Sequence, residues 1–295
     1  MNDKLPQTEA VNPRTRGLDV LETAALVQLL VKEQGQAIDC VLQQAEAIAG
    51  VVDAIARRLR SGGRLHYVGA GTSGRLGFLD ASECPPTFGT APDLVCAHIA
   101  GGMQAVTRAV EGAEDDEGAG AAEMREHAAA QDVVIGLSAS GAAAFVVGAL
   151  IAARALGAWT VAVTHDSRTD LAQVADQTIV LQTGPEPLAG STRLRAGTAQ
   201  KVLLNAISTA TMVRLDKVYD NLMVDLVATN SKLYGRAVRL VMQLASVDQS
   251  RASKLLEEAG GRVKLAAVMG RDGLGLMEAR ARLEAAHGSL RASLS

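Results

Sequence analysis

The spacing of apolar positions changes its period twice along this chain. From Leu18 to about Ser61 apolar residues recur three and four apart, as in Leu18, Leu21, Ala25 and Leu29 and again in Ile38, Leu42, Ala45 and Ile48. That is the stripe of amphipathic helices. Two helices are expected, stopped by Ser61-Gly62-Gly63. Between Arg64 and about Arg214 short apolar runs alternate with helical stretches. Leu65 to Val68, Leu94 to Ile99, Val133 to Leu137, Thr160 to Val163 and Thr178 to Leu181 read as strands, with helices near 74–82, 102–127, 141–156 and 170–175. Repeated strand–helix units close as a parallel sheet with helices on both faces. The predicted fold class is therefore α/β, a doubly wound parallel five-stranded sheet with N-terminal helices.

Helical patterns follow from about Ala196 to Leu215 and from Leu226 to Leu244. Beyond Val247, short Ala- and Leu-rich helices broken by Gly260, Gly261, Gly270 and Gly273 read as a small C-terminal appendage. The expected domains are 1–60, an N-terminal arm and helices packing on the core, then the sheet domain 61–220, then the C-terminal helical region 221–295. Residues 1–17, polar and proline-containing, are expected to stay irregular until they find a surface to pack on.

Composition narrows the function. Hydrophobic residues make up 48% of the 295 but aromatics only 2%, so the interior is built from Ala, Leu and Val on closely packed elements. Lys plus Arg is 29 against 32 for Asp plus Glu, a net charge of −3 with no basic block. Neither a phosphate-neutralising patch nor a base-stacking platform is present, which argues against nucleic acid as a partner. Cys40, Cys84 and Cys96 show no paired spacing of disulfide or zinc sites, so a reducing cytoplasm is expected. The N-terminus carries Asp3, Pro6, Glu9 and Pro13 where an export signal would be basic and then apolar. No apolar run approaches the roughly 20 residues that span a bilayer, so no membrane association is expected.

Candidate chemistry begins at Gly69-Ala70-Gly71-Thr72-Ser73-Gly74-Arg75, between the first strand and a helix. Such a turn offers backbone amides and a helix N-terminus to an anion at the carboxyl end of a strand. Thr72 and Ser73 add hydroxyl donors. Gly69, Gly71 and Gly74 also fit a dinucleotide fingerprint, with Asp93 near the acidic offset. A tight strand–helix turn without ligand is the plain structural alternative. A second turn, Ser138-Ala139-Ser140-Gly141, follows another strand. Two hydroxyl-bearing turns at one sheet's strand ends suggest a phosphate monoester held from two sides, although Ser140 alone is better read as a helix N-cap.

The run Gly69 to Glu83, continued by Cys84-Pro85-Pro86-Thr87-Phe88-Gly89, with Ile99-Ala100-Gly101-Gly102 and Ala109 to Asp116, resembles the N-acetylmuramic acid 6-phosphate etherases. So do Gly190-Ser191-Thr192-Arg193, Ala196 to Lys201, Asn221 to Asp225 and Ala228-Thr229-Asn230. The likeness runs from about Thr8 into the C-terminal helices, which resemble that family's ubiquitin-associated-like appendage. It implies a sugar isomerase (SIS) fold, a phosphosugar substrate, a homodimer, and no metal or other cofactor. The implied reaction is cleavage of the D-lactyl ether of N-acetylmuramic acid 6-phosphate in peptidoglycan recycling and amino-sugar catabolism.

By the same resemblance Glu83 is the proton donor to departing lactate and Glu114 its partner. Gly71, Thr72, Ser73, Gly74, Ser138, Ser140, Ser191, Arg193 and Lys201 are the expected substrate- and phosphate-binding residues. An ordinary glutamate is ionised at neutral pH, so an acid role requires burial or a neighbouring carboxylate. From its composition alone, Glu111 to Glu117 reads as an acidic helix start. A straight helix from Gly74 would carry Glu83 about 13 Å away at about 1.5 Å per residue. Either an early break in that helix or a site completed by the second copy's Glu83 is expected. Where the family carries Arg-Thr-Pro-Tyr after the second turn, this chain has Ala142-Ala143-Ala144-Phe145, and Thr164 to Ser167, Asp216 and Asp220 also depart from the pattern. His66, His98, His127, His165 and His287 lack metal-ligand spacing and are expected to be structural or solvated. A non-catalytic phosphosugar sensor, as in the related glucokinase regulatory protein, would need the hydroxyl turns but not Glu83.

Overall fold

A computed structural model describes residues 7–226 and 231–294, so Ala228-Thr229-Asn230 of the etherase-like pattern lies outside the described residues. Among the described residues the helices and strands follow the predicted order. Thr23–Glu33 (α1), Gly35–Leu42 (α2) and Ala45–Arg60 (α3) precede the sheet, so the second expected helix, through Ile38, Leu42, Ala45 and Ile48, is divided at Gln43-Gln44. Leu65–Gly69 (β1), Gly71–Phe88 (α4), Val95–Ile99 (β2), Gly102–Thr107 (α5), Glu117–His127 (α6), Val133–Leu137 (β3) and Ala144–Ala155 (α7) follow. Then come Trp159–Thr164 (β4), Asp170–Val174 (α8), Gln177–Val180 (β5) and Arg195–Arg214 (α9). The five strands lie parallel in the order β2-β1-β3-β4-β5. No described helix is long and apolar enough to cross a membrane.

The strands form where apolar runs are continuous because both faces of the sheet are covered. Val68, Val134 and Ala162 share one cluster with Met124 of α6 and with Phe145, Val146, Ala149 and Leu150 of α7. On the other face, Gly77 of α4 comes so close to Tyr67 that a β-carbon there would stand 3.0 Å from the tyrosine's own. An alanine-rich interior permits such contacts. The arm also packs: Thr8, Asn12 and Thr15 are buried, and Thr15 Oγ1 donates to Pro187 O at 2.8 Å.

Two expectations about helices are corrected. The stretch 102–127 is not one helix. Arg108 is extended, Gly112 is left-handed at φ 73°, and Asp116 caps α6 by accepting from Ala119 N at 2.8 Å. The helix expected near 74–82 runs on through Pro85 and Pro86 to Phe88 (α4), without the expected early break.

The described chain divides into two compact units: one takes the chain up to Ala81 and Asp93–Thr209, the other Ser82–Pro92 and the chain from Ala210. The second unit holds the short antiparallel pair Val218–Tyr219 (β6) and Leu222–Met223 (β7) and the helices Ser231–Ala245 (α10), Gln249–Glu258 (α11), Val263–Asp272 (α12), Leu276–Ala285 (α13) and Leu290–Ser293 (α14). Its core is aliphatic, centred on Val241, Leu255, Leu256, Ala266 and Val268. Asp216 and Asp220, atypical in sequence, take left-handed conformations (φ 59° and 53°) on either side of β6, which aspartate tolerates better than most residues.

Candidate active site

The sheet changes winding direction between β1 and β3, where Gly69 and Leu137 are Cα partners. The chain leaves both strands one residue later, so the Gly69–Gly74 and Ser138–Gly141 turns emerge side by side at the carboxyl edge. Open α/β sheets bind ligands at such a crevice.

The first turn is shaped by close approach. A β-carbon on Gly69 would stand 2.6 Å from Gly74 N, and one on Gly74 would stand 2.5 Å from Ile99 Cγ1. Gly71 has φ +51°, which favours glycine. Gly74 N–H donates to Ala70 O at 3.3 Å, so the amides of Gly71, Thr72 and Ser73 lie ahead of the helix's own ladder, at the positive end of its dipole. Packing and backbone angle thus account for all three glycines without a dinucleotide. Asp93 argues the same way, because it precedes β2 and lies at the amino edge of the parallel sheet, away from the crevice.

In the second turn Ser138 Oγ accepts from Gly141 N at 3.0 Å and Ser140 Oγ from Ala142 N at 3.3 Å, with the two hydroxyls 3.4 Å apart. Ala143 occupies the N-cap of α7, so the cap reading of Ser140 does not hold. Gly141 is left-handed and packs on Thr169, and Leu171 N donates to Gly141 O at 3.1 Å. Between these loops lies a cleft of about 350 Å³ lined by Ser140, Ala142, Asp166 and Arg168 among others. The Arg168 guanidinium pairs with Asp166 at 2.8 Å and 3.1 Å, which holds the Asp166 carboxyl below its ordinary range. Arg168, on a neighbouring loop, therefore lines the same cleft as Ala142.

A third wall comes from α9. A β-carbon on Gly197 would be 3.4 Å from Thr72 Cγ2, so the first turn of α9 meets the first turn of α4. Buried Glu186 caps α9, accepting from Arg195 N at 2.8 Å and Ala196 N at 2.9 Å, and burial pushes its pKa up. The buried Arg195 side chain donates to Glu33 O at 2.6 Å and Pro185 O at 2.8 Å and pairs with the Glu33 carboxylate. Burial alone would raise Glu33, but Arg14, Asn12 and Arg195 outweigh it and lower the value. Behind the crevice, buried Asp80 accepts from Tyr67 OH at 3.0 Å, Asn205 Nδ2 at 2.8 Å and Ser208 Oγ at 3.0 Å. Sequence reading missed Glu33, Asp80, Glu186 and Arg195. Their only signal is an ionisable residue within an otherwise apolar or tightly turned segment.

Of the expected binding residues, Gly71, Thr72, Ser73, Gly74, Ser138 and Ser140 share the carboxyl edge of β1 and β3. Ser191 is half-buried ahead of α9, Arg193 is exposed there, and exposed Lys201 bonds Asn205 Oδ1. Glu114 is exposed in a 3-10 turn, Ala113–Asp115, and the capping role at the acidic stretch belongs to Asp116. Glu83 is exposed on α4 and belongs to the second unit. In that unit Asp225 pairs with Lys217 at 2.6 Å and Lys264 at 3.2 Å.

The histidines are not the isolated residues that their spacing implied. His66 Nε2 lies 3.1 Å from Asp132 Oδ2, His66 Nδ1 3.0 Å from His98 Nε2, and His98 Nδ1 2.8 Å from Glu123 Oε1. His127 Nε2 is 3.7 Å from the same Glu123 oxygen.

A parallel five-stranded sheet with hydroxyl turns at its switch point is the arrangement of a SIS-domain protein, and family models agree. The glucokinase regulatory protein N-terminal SIS domain matches residues 47–154, the SIS domain 106–210, and the C-terminal lid domain of glucokinase regulatory protein 220–265. The fold is shared with a putative phosphosugar isomerase involved in capsule formation from Bacteroides fragilis (TM-score 0.52, 19% identity, 68% of this chain and 95% of that one). An N-acetylmuramic acid 6-phosphate etherase of Gloeobacter violaceus is 51% identical over 91% of this chain and 90% of its own length. One from Geobacillus thermodenitrificans is 47% identical over 97% and 98%. This chain belongs to the N-acetylmuramic acid 6-phosphate etherase family.

Proposed function

We propose that this protein is a lyase that cleaves the D-lactyl ether of N-acetylmuramic acid 6-phosphate, releasing N-acetylglucosamine 6-phosphate and D-lactate. The observation that carries the reading is identity of about half, over nearly the whole length, to relatives of that name. The serine turns paired at the switch point support a sugar phosphate as ligand. In this reading the hydroxyls of Thr72, Ser73, Ser138 and Ser140 and the start of α4 hold the phosphate, with Ser191, Arg193 and Lys201 on the α9 side.

The chemistry needs two proton-transfer groups. Ring opening exposes an aldehyde at C1 that acidifies the C2 proton. A base removes that proton, the C3–O bond breaks, and an acid protonates the departing oxygen to give lactate. Water then adds its oxygen to C3 and a proton returns to C2. Glu83, exposed in the single chain, is proposed as the acid in a site that the second copy closes, and Glu114 as the base or the group that handles water. Proton transfer beside an aldehyde suffices for these steps, so the proposal includes no cofactor.

The protein is further proposed to be a cytoplasmic homodimer working in peptidoglycan recycling. Val27 and Val31 on α1 and Ile38 and Leu42 on α2 are 53%, 67%, 56% and 71% exposed, an apolar surface suited to a second copy. The test of the activity is incubation with N-acetylmuramic acid 6-phosphate and an enzymatic assay for D-lactate. Release of lactate is expected, whereas sugar-phosphate binding without lactate would return the protein to the sensor class. Mixing Glu83→Ala and Ser73→Ala proteins tests whether Glu83 serves the sugar held by the second copy, in which case mixed dimers regain activity.

A further inference from the structure

Asp132, His66, His98, Glu123 and His127 form one hydrogen-bonded line that the proposed chemistry does not use. Counting protons along it shows a gap. Asp132 accepts from the backbone N–H of Arg64 at 2.8 Å and of Ala129 at 2.9 Å, and these bonds, with His66, outweigh burial and hold its carboxyl ionised. Being an acceptor only, it requires the hydrogen on His66 Nε2. A neutral His66 then offers a lone pair at Nδ1, which requires the hydrogen of His98 on Nε2. A neutral His98 in turn offers a lone pair at Nδ1, directed at a carboxylate oxygen 2.8 Å away. Three contacts share two protons.

We propose that His98 Nδ1, Glu123 and His127 Nε2 form a site for a zinc-class divalent transition metal, with Asp132 and His66 as the relay that fixes the ligating tautomer of His98. A cation between lone pair and carboxylate satisfies both. The three ligand atoms lie within 4.8 Å of one another. Zinc bonds of about 2.0–2.1 Å set tetrahedral edges of about 3.3 Å. The 2.8 Å and 3.7 Å separations of the Glu123 oxygen from the two imidazole nitrogens bracket that edge. These two side chains are 38% and 40% exposed, which gives water access to the fourth position. Two imidazoles and a carboxylate suit zinc, and a carboxylate–imidazole relay behind a ligating histidine orients it and raises its basicity. Glu123 and His127 lie one turn apart at the end of α6 and His98 lies on the edge strand β2, so the ion clamps helix to sheet edge. The site does not depend on the lyase reading.

Titration of chelator-treated protein with Co2+ tests the site, because tetrahedral cobalt absorbs visibly and Zn2+ should displace it. We expect one equivalent bound, a higher Tm with Zn2+, and at least tenfold weaker binding in both His127→Ala and Glu123→Gln, with lactate release unchanged. No stoichiometric uptake by the wild-type protein, or equal uptake by both variants, overturns the proposal and assigns the third contact to a shared proton.

Discussion

The Asp80 carboxylate of α4 accepts a hydrogen bond from Asn205 Nδ2 of α9 at 2.8 Å. With Tyr67 OH and Ser208 Oγ on the same carboxylate, this ties together the strand and the two helices whose ends surround the crevice. Asp80→Ala removes the acceptor shared by three buried or half-buried donors, and a buried donor left unsatisfied costs about 1–3 kcal/mol. The expected loss in urea unfolding is about 2–4 kcal/mol, with a smaller loss for Asp80→Asn. An Asp80→Ala protein as stable as wild type would mean that the cluster does not hold these elements.

Ser73 is the buried hydroxyl of the first turn. Hydrogen bonds to charged groups contribute about 1.5–3 kcal/mol, so Ser73→Ala should raise KM for the phosphosugar roughly tenfold to a hundredfold. Circular dichroism should be unchanged. An unaltered KM would remove Ser73 from the phosphate site.

Glu83→Gln keeps the side chain's size but cannot donate a carboxyl proton. Turnover should fall by at least a hundredfold, in the range of a lost general acid, while sugar-phosphate affinity measured by calorimetry stays within a few-fold. Unchanged turnover would exclude Glu83 as the acid.

His165 sets a pH limit on stability. Its ring is buried, Nδ1 meets Thr183 Oγ1 at 3.1 Å, and burial lowers its pKa from 6.5 to about 4. Between those values the unfolded chain binds the proton and the folded one does not, so stability falls as pH drops from about 6.5 to about 4 and levels off below. The full difference is on the order of 3 kcal/mol. Denaturation at several pH values should show this slope, to which buried His66, also lowered to about 4, adds its own, and His165→Asn should reduce it by His165's share. An equal slope in that variant would assign the effect elsewhere.

Much of this was legible in the sequence, and the exceptions have physical causes. The five strands fall within a residue or two of their apolar runs, because a sheet covered on both faces demands such runs. The turns at Gly69 and Ser138 could be named as candidates from hydroxyl and glycine content alone. Their adjacency could not, since it depends on β1 pairing with β3. Pro85 and Pro86 misled because α4 accommodates residues that usually end helices, stopping only at left-handed Gly89. The His66–His98 contact was invisible because 32 residues separate the pair and only strand pairing joins them.

The exposed valines and leucine of α1 and α2 should be covered in solution. Val31→Glu combined with Leu42→Glu is expected to shift the light-scattering mass from dimer to monomer. A wild-type monomer would refute the dimer.

The proposed lyase breaks the sugar C3–O bond by elimination, and isotope labelling reads that bond directly. When N-acetylmuramic acid 6-phosphate is turned over in 18O water, the account predicts one heavy oxygen in N-acetylglucosamine 6-phosphate at C3 and none in D-lactate beyond slow background exchange. Heavy oxygen on the lactate C2 hydroxyl, or no lactate at all, would contradict it.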